Sequence, residues 1–387
     1  VKNNELKVAL VVDWLTVYGG AERVVEQIIE CYPNCDIYSL IDFLNDEQRF
    51  FVKGKKAKTS FIQKLPFAKK YYRIYLPLMP LAIESFNLHD YDLIISSSHA
   101  VARGVITYHH QLHITYLQAP GLRYAYHDKN IYSIGSKFKI LKEFLLYKLR
   151  KWDFIASKRA DYTIANSEYV SEWNEKIVGV KSKVIYPPVY LDNFIKYFNE
   201  EKRDTYVAVG RLEPIKRFDL IIEAFNSSNK KLIIIGSGSI EKELKKLAND
   251  NISFVGFRNQ IEIAEILSKS KAFLQAGCEG FGISMLESQA CGTPVIAFAQ
   301  GGALEVVNHI GVTNKPTGIL FEDQSKESIL KAIELFESGL VNIQPIHCLE
   351  NAKRFSKETF KKSFKDFINQ KIMFRSFKNK IENKKRA

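Results

Sequence analysis

Short apolar runs alternate with helix-length amphipathic stretches along nearly the whole chain. Val8–Val12, Leu93–Ser96, Ile114–Leu117 and Tyr162–Ala165 read as strands in the first half. Tyr206–Val209, Leu232–Ile235, Ser253–Val255, Ala272–Leu274 and Pro294–Phe298 read as strands in the second. A strand that is apolar at consecutive positions must be covered on both faces, as in a parallel sheet flanked by helices. The pattern is that of open, doubly wound α/β domains, and 387 residues suffice for two of them. Lys183–Val189 reads as an extended exit from the first, and the polar stretch Asp192–Asp204 as a linker, which gives domains over 1–200 and 201–355. Ligands of such sheets collect at the carboxyl ends of the strands, so a cleft between the two domains is the expected site.

Composition narrows the classes. Hydrophobic residues make up 46% and charged residues 26%, an ordinary soluble balance. No run approaches the ~18 apolar residues of a membrane span. Lys7–Val12 followed by Asp13 reads as a strand rather than a secretory leader. The five cysteines are an odd number without CxxC spacing, and Cys31 and Cys35 are the only close pair. Reduced thiols in a cytoplasmic protein fit this better than disulfides or zinc. His109, His110 and His113 lack a carboxylate or cysteine at ligand spacing, so no metal site is expected.

The net charge of +13 is concentrated in two places. Lys53 to Arg73 carries eight basic residues and no acidic one, for +8. Lys361 to Ala387 carries ten against Asp366 and Glu382, again +8, so the remainder is −3. The first patch is interleaved with Phe61, Ile62, Leu65, Phe67, Tyr71, Tyr72, Ile74 and Tyr75. Phe144, Leu145, Leu146 and Leu149 beside Lys142, Lys148, Arg150 and Lys151 repeat that character. Basic, aromatic-rich amphipathic surface suits an anionic membrane carrying a lipid-linked acceptor, and equally suits a solvated face over ordinary core. No nucleic-acid-binding motif accompanies the charge.

Three stretches carry chemistry. In Gln275–Phe298 (QAGCEGFGISMLESQACGTPVIAF) a strand leads into the loop Glu279-Gly280-Phe281-Gly282, then a helix from Ile283 capped by Gly292. The glycines admit close approach of a ligand, and free amides at the helix start favour anionic oxygen. Glu279 and Glu287 stand ~10 Å apart along one edge if the segment is helical, which suits a ligand with hydroxyls at both ends and phosphates in the middle. Second, Arg211 and Lys216 leave a strand end together and could clamp a diphosphate. Third, Gly19 and Gly20 lead from the first strand into a helix and can bring amides against a phosphate or sugar oxygen.

Glu279, seven intervening residues and Glu287, with Gly292-Thr293-Pro294-Val295-Ile296-Ala297 and Gly301-Gly302-Ala303-Leu304-Glu305 downstream, resemble the Glu-x7-Glu motif of retaining glycosyltransferases with the GT-B fold. The resemblance covers nearly the whole chain and is densest over 207–321. It implies two Rossmann-like domains, the first completed by a C-terminal helix at about 356–377 and followed by a basic tail, 378–387. It also implies that Glu279 holds sugar hydroxyls near the amides of Gly280, Phe281, Gly282 and Ile283, that Glu287 holds the ribose, and that Arg211 and Lys216 neutralise the diphosphate. Gly19 and Gly20 match the family's glycine loop, and Phe257 lies in a segment that the family places near the base. His99, Arg103, Arg123 and Tyr124 fall on the acceptor side, the last two within a Pro-x-x-Arg-Tyr pattern of bacterial mannosyltransferase-like members. Gln118 stands where some relatives carry a histidine, so histidine-dependent proton handling must come from His99 or be absent.

The implied activity is metal-independent, retaining transfer of a hexosyl group from a nucleotide-sugar, with GDP-mannose preferred, to a saccharide or lipid-linked saccharide acceptor in cell-surface polysaccharide assembly. A location on the inner face of the cytoplasmic membrane would follow. A GT-B-fold nucleotide-sugar epimerase and a non-catalytic sugar- or lipid-binding protein are the alternatives.

Overall fold

The computed structural model describes residues 6–126, 139–201 and 204–386, apart from the side chains at 123, 124, 139 and 377–386. The chain divides into two compact units: Val1–Pro188 joined by Lys357–Ala387, and Val189–Ser356. The division falls ahead of the polar stretch 192–204. Phe194 explains this: it is fully buried, in a short helix Asp192–Ile195, and its carbonyl accepts from Cys291 Sγ at 3.5 Å. Polarity marked the surface of this segment and hid its anchor.

The first unit holds a sheet of β1 (Val8–Val12), β2 (Asp36–Ser39), β3 (Lys58–Thr59), β4 (Leu93–Ser98), β5 (Leu112–Leu117), β6 (Tyr162–Ala165) and β7 (Lys183–Val184). Their order is β3-β2-β1-β4-β5-β6-β7, and each pairing is parallel. β1 shows why the apolar run reads as it does. Val8, Leu10 and Val12 enter one core with Val24, Ile28 and Tyr116, while Ala9 and Val11 enter another with Ile83, Ile94 and Leu149. Successive side chains point to opposite faces, and both faces are covered. The helix Lys357–Arg386 closes the first of these cores through Phe360, Phe364 and Ile368, whose spacing keeps them on one face. That helix runs on through the basic stretch 378–386, whose side chains lie outside the described residues.

The second unit holds β8 (Thr205–Val209), β9 (Lys231–Ile235), β10 (Ile252–Gly256), β11 (Phe273–Gln275), β12 (Val295–Phe298) and β13 (Gly318–Phe321), in the order β10-β9-β8-β11-β12-β13, again parallel. The sequence reading misses β2, β3 and β13. Each is four residues or fewer, and only its neighbour's hydrogen bonds make it a strand. In both sheets the order runs backward to the first strand and then jumps forward, between β1 and β4 and between β8 and β11. At such a reversal the two flanking connections leave on opposite sides, opening a crevice at the carboxyl ends of the strands.

Candidate active site

Arg211, Lys216, Glu279 and Glu287, expected to contact the donor, lie on the segments that follow β8 and β11, the strands flanking the reversal of the second sheet. Past β8 the chain runs through Gly210–Glu213 into a 3-10 turn, Pro214–Lys216; past β11 it runs through Gly277 to Gly282. Gly277 lets the two segments touch, since a Cβ there would stand 2.5 Å from the Ile215 carbonyl oxygen and 2.8 Å from Lys216 Cα. Across that contact Lys216 Nζ donates to Glu279 Oε1, with the two side chains 22% and 21% exposed. Gln275 Nε2 donates to the same Oε1 at 3.2 Å and to the Gly277 carbonyl at 3.2 Å. Gln275 is buried at the last position of β11, and motif spacing did not single it out. Its signal was a polar side chain ending an apolar strand, four residues before Glu279.

The loop that carries Glu279 is propped from behind. Glu279 and Gly301 form a parallel bridge, and Gly302 N–H donates to the Glu279 carbonyl at 2.9 Å. A Cβ on Gly302 would lie 1.9 Å from the Phe281 carbonyl oxygen. Gly282, at φ 103°, turns the chain into the helix Ile283–Ala290. Glu287 lies in that helix and is largely buried. Phe281, expected among the donor contacts, turns its ring inward: it is buried and packs edge-on to Phe355 at 5.6 Å. An aromatic ring gains more from the core than from a polar crevice, so only its backbone stays at the loop. Arg211 is exposed and makes no ion pair among the described residues. Phe257 is 77% exposed just beyond β10, on the outer edge of the sheet. A phenyl ring left in water at a strand's carboxyl end is available for stacking.

In the first unit, Asp13 follows β1 and His99 follows β4, at the corresponding reversal. The fully buried Asp13 carboxylate accepts the backbone N–H groups of His99 (2.6 Å), Ala100 (3.0 Å), Val101 (2.6 Å) and Ala102 (2.7 Å). His99 Nδ1 lies 3.1 Å from the same carboxylate, and Trp14 meets the imidazole edge-on at 4.3 Å. A carboxylate beside Nδ1 makes that nitrogen the donor. The sequence reading found His99 and passed over Asp13, though a lone acid ending a buried strand was the available sign.

Arg103 is placed otherwise than expected. Its guanidinium is 2% exposed and donates to Asp153 and to Asn174 Oδ1, and Tyr126 closes on Asp153 at 3.0 Å. Burial and the Asp153 charge push the Tyr126 phenol above its ordinary range. Arg103 therefore ties three segments of the fold together. Arg123 and Tyr124 begin a 3-10 turn, Arg123–Tyr126, and their side chains lie outside the described residues. Gly19 N–H donates to Glu22 Oε2 at 3.0 Å, and Gly20 opens the helix Gly20–Cys31. Gln118 Nε2 bonds Ser97 Oγ (2.9 Å) and the Ala21 carbonyl (3.2 Å), bracing that glycine loop against β4 and β5.

Among the described residues no three His, Cys, Asp or Glu side chains come together as metal ligands. His113 is fully buried against Ser96, and burial, with the Arg159 charge, pushes its pKa down to about 4, which keeps it neutral. An Asp-x-Asp triplet, Asp90-Tyr91-Asp92, lies ahead of β4 at the opposite ends of the strands, where Asp92 accepts the Lys7 N–H at 2.9 Å.

Residues 18–193 match the family Glycosyltransferase Family 4, and residues 191–361 match Glycosyl transferases group 1. An uncharacterized glycosyltransferase of Methanocaldococcus jannaschii is 32% identical over 235 residues, 54% of this chain and 58% of that protein. A GDP-mannose-dependent monoacylated alpha-(1-6)-phosphatidylinositol monomannoside mannosyltransferase of Corynebacterium glutamicum is 32% identical over 148 residues, 34% of this chain and 37% of that protein. The matches thus span less than two thirds of either relative. The crystal structure of Anabaena HepE in complex with UDP aligns with 94% of this chain and 100% of that one, at a TM-score of 0.66 and 17% identity, which establishes the fold. The two adjoining family matches, the first to Glycosyltransferase Family 4 and the second to Glycosyl transferases group 1, lie over the two parallel-sheet units, and the chain has the GT-B fold.

Proposed function

We propose that the protein transfers a hexosyl group, with retention of configuration, from a nucleotide-sugar to a lipid-linked saccharide. The observation that carries this reading is the convergence of Lys216, Gln275 and Glu279 at the β8/β11 reversal. Lys216 and the exposed Arg211 neutralise the diphosphate, Glu279 binds hydroxyls of the sugar, Glu287 the ribose, and Phe257 the base. Stabilising charge on the departing diphosphate is the main catalytic contribution. The bond from the anomeric carbon to the diphosphate oxygen breaks, and the acceptor oxygen bonds on the same face. Its proton passes to the departing phosphate oxygen. Two cations do the neutralising, and the reaction runs without a metal. GDP-mannose is the preferred donor, in keeping with the motif resemblance and with the Corynebacterium relative's name.

A panel of nucleotide-sugars, read by release of nucleoside diphosphate with and without an alkyl mannoside, tests this. One donor is expected to be consumed, at least ~10-fold faster with acceptor present. Isomerised sugar from donor alone would mark the epimerase instead, and binding without turnover a non-catalytic protein.

The acceptor's lipid anchor is the part of the proposal that concerns the surface of the first unit. Ile140, Leu141, Phe144 and Ile155 on the helix Lys139–Ala156 are exposed, as are Phe67, Ile74 and Leu81. Lys148 and Lys151 lie over the rings of Phe144 and Tyr147 at 5.3 and 4.8 Å. Trp152 Nε1 donates to Glu84 at 2.6 Å, fastening this helix to the segment that bears Leu81. Among the described residues no helix is long and apolar enough to cross a membrane. Exposed rings beside lysines suit attachment to an anionic leaflet. Flotation with phosphatidylglycerol vesicles should carry the protein upward at low salt. Substituting Glu for Lys69, Lys70, Lys148 and Lys151 should leave it at the bottom; flotation unaffected by those four changes would refute the attachment.

A further inference from the structure

The two groups assigned to donor chemistry are bonded to each other. Lys216 Nζ donates to Glu279 Oε1, and no second acidic partner of Lys216 is present among the described residues. Gln275 Nε2 converges on that same oxygen, so Oε1 takes two donors while neither of these bonds involves Oε2. The backbones beneath the pair cannot slide apart freely. Gly277 is pressed against Ile215 and Lys216, and Glu279 is bridged to Gly301. Arg217, directly after Lys216, sits at φ 54° and is clamped by Asp219 through bonds of 2.9 to 3.1 Å. Any exchange of partners therefore falls to the lysine side chain, a flexible stem with a point charge.

We infer that Glu279 and the donor's diphosphate compete for Lys216, so that seating the diphosphate draws the ammonium away and releases Glu279 to the sugar. This rests on the reading of Lys216 as a diphosphate ligand. A diphosphate carries more charge than a carboxylate and offers several oxygens, so it takes the ammonium when both are in reach. Gln275 keeps its bond to Oε1 and holds the carboxylate in place while its charge becomes unpaired. A nearby negative charge that has lost its cation then strengthens its remaining hydrogen bonds, here to hydroxyls of the hexose. The pair thus couples recognition of the two ends of the donor: sugar hydroxyls gain a full carboxylate only behind a bound diphosphate.

The test is a double-mutant cycle in binding, which needs no acceptor. Titration calorimetry with UDP, GDP and ADP on the full chain identifies the nucleotide bound by the unaltered protein. For that nucleotide, Glu279→Gln should bind about five-fold more tightly than wild type, since Lys216 no longer has to leave a partner. Lys216→Met should bind about ten-fold more weakly. In the Lys216→Met background, adding Glu279→Gln should change affinity by less than two-fold. Unchanged or weaker binding by Glu279→Gln overturns the competition. So does a gain that persists without Lys216, because that would be simple relief of repulsion. Failure of the unaltered protein to bind any of the three would remove the donor assignment itself, a distinct result. Glu279→Ala repeats the cycle should the glutamine variant misfold.

Discussion

Glu279→Ala is expected to lower transfer about a thousand-fold, a loss of about 4 kcal/mol in transition-state stabilisation, while the fold survives. Survival follows from the backbone. Glu279 and Lys216 are each about one-fifth exposed, and the loop between Gly277 and Gly282 is held by backbone contacts with Gly301 and Gly302 that the substitution leaves intact. Removing one partner of a mostly buried ion pair costs about 1–3 kcal/mol. In a unit of this size that shifts the melting temperature by about 2–10 °C. Activity falls for a different reason: Gln275 and Lys216 both orient this carboxylate at the β8/β11 reversal. Turnover within ten-fold of wild type, with melting unchanged, would show that the sugar is held elsewhere.

Arg103→Ala should do the opposite and act through stability. The guanidinium and Asp153 are 2% and 0% exposed, and the arginine also bonds Asn174. Its loss leaves the Asp153 charge buried with, among the described residues, only the Tyr126 hydroxyl against it. Breaking a buried pair from one side costs about 3–5 kcal/mol, which corresponds to a fall of roughly 10 °C in melting temperature for a unit of about 200 residues. Pairing Arg103→Met with Asp153→Leu should recover most of that fall, because no charge is then stranded. An acceptor-binding role for Arg103 would give the reverse: unchanged melting and a raised acceptor KM. Thermal melts of the three variants separate the two outcomes.

Arg103 also shows where sequence reading runs out. An arginine five positions past an apolar strand looks like an exposed cation, because most arginines are. Its partner Asp153 lies fifty residues away, with no pattern to link them. The same blindness hid Asp13, whose four amide partners are 86 to 89 positions distant, and the pairing of Glu279 with Lys216, 63 positions away. Phe281 stays in the glycine-rich loop through its backbone, while Phe355, distant in sequence, covers its ring.

What this chain's sequence determined unaided was everything that repeats with a local period or occurs as a contiguous motif. Consecutive apolar positions in β1, β4 and β8 require cover on both faces, which leaves parallel α/β sheets as the outcome. The glycines around Glu279 prescribe a loop that approaches something closely. What only the tertiary structure decided was partnership. Whether a charged side chain meets solvent, a substrate or a buried counter-charge depends on which distant segment folds over it, and that is settled by strand order. The reversals between β1 and β4 and between β8 and β11 bring Asp13 to His99 and Lys216 to Glu279. No spacing along the chain encodes either meeting, because a parallel sheet joins residues through crossovers of arbitrary length.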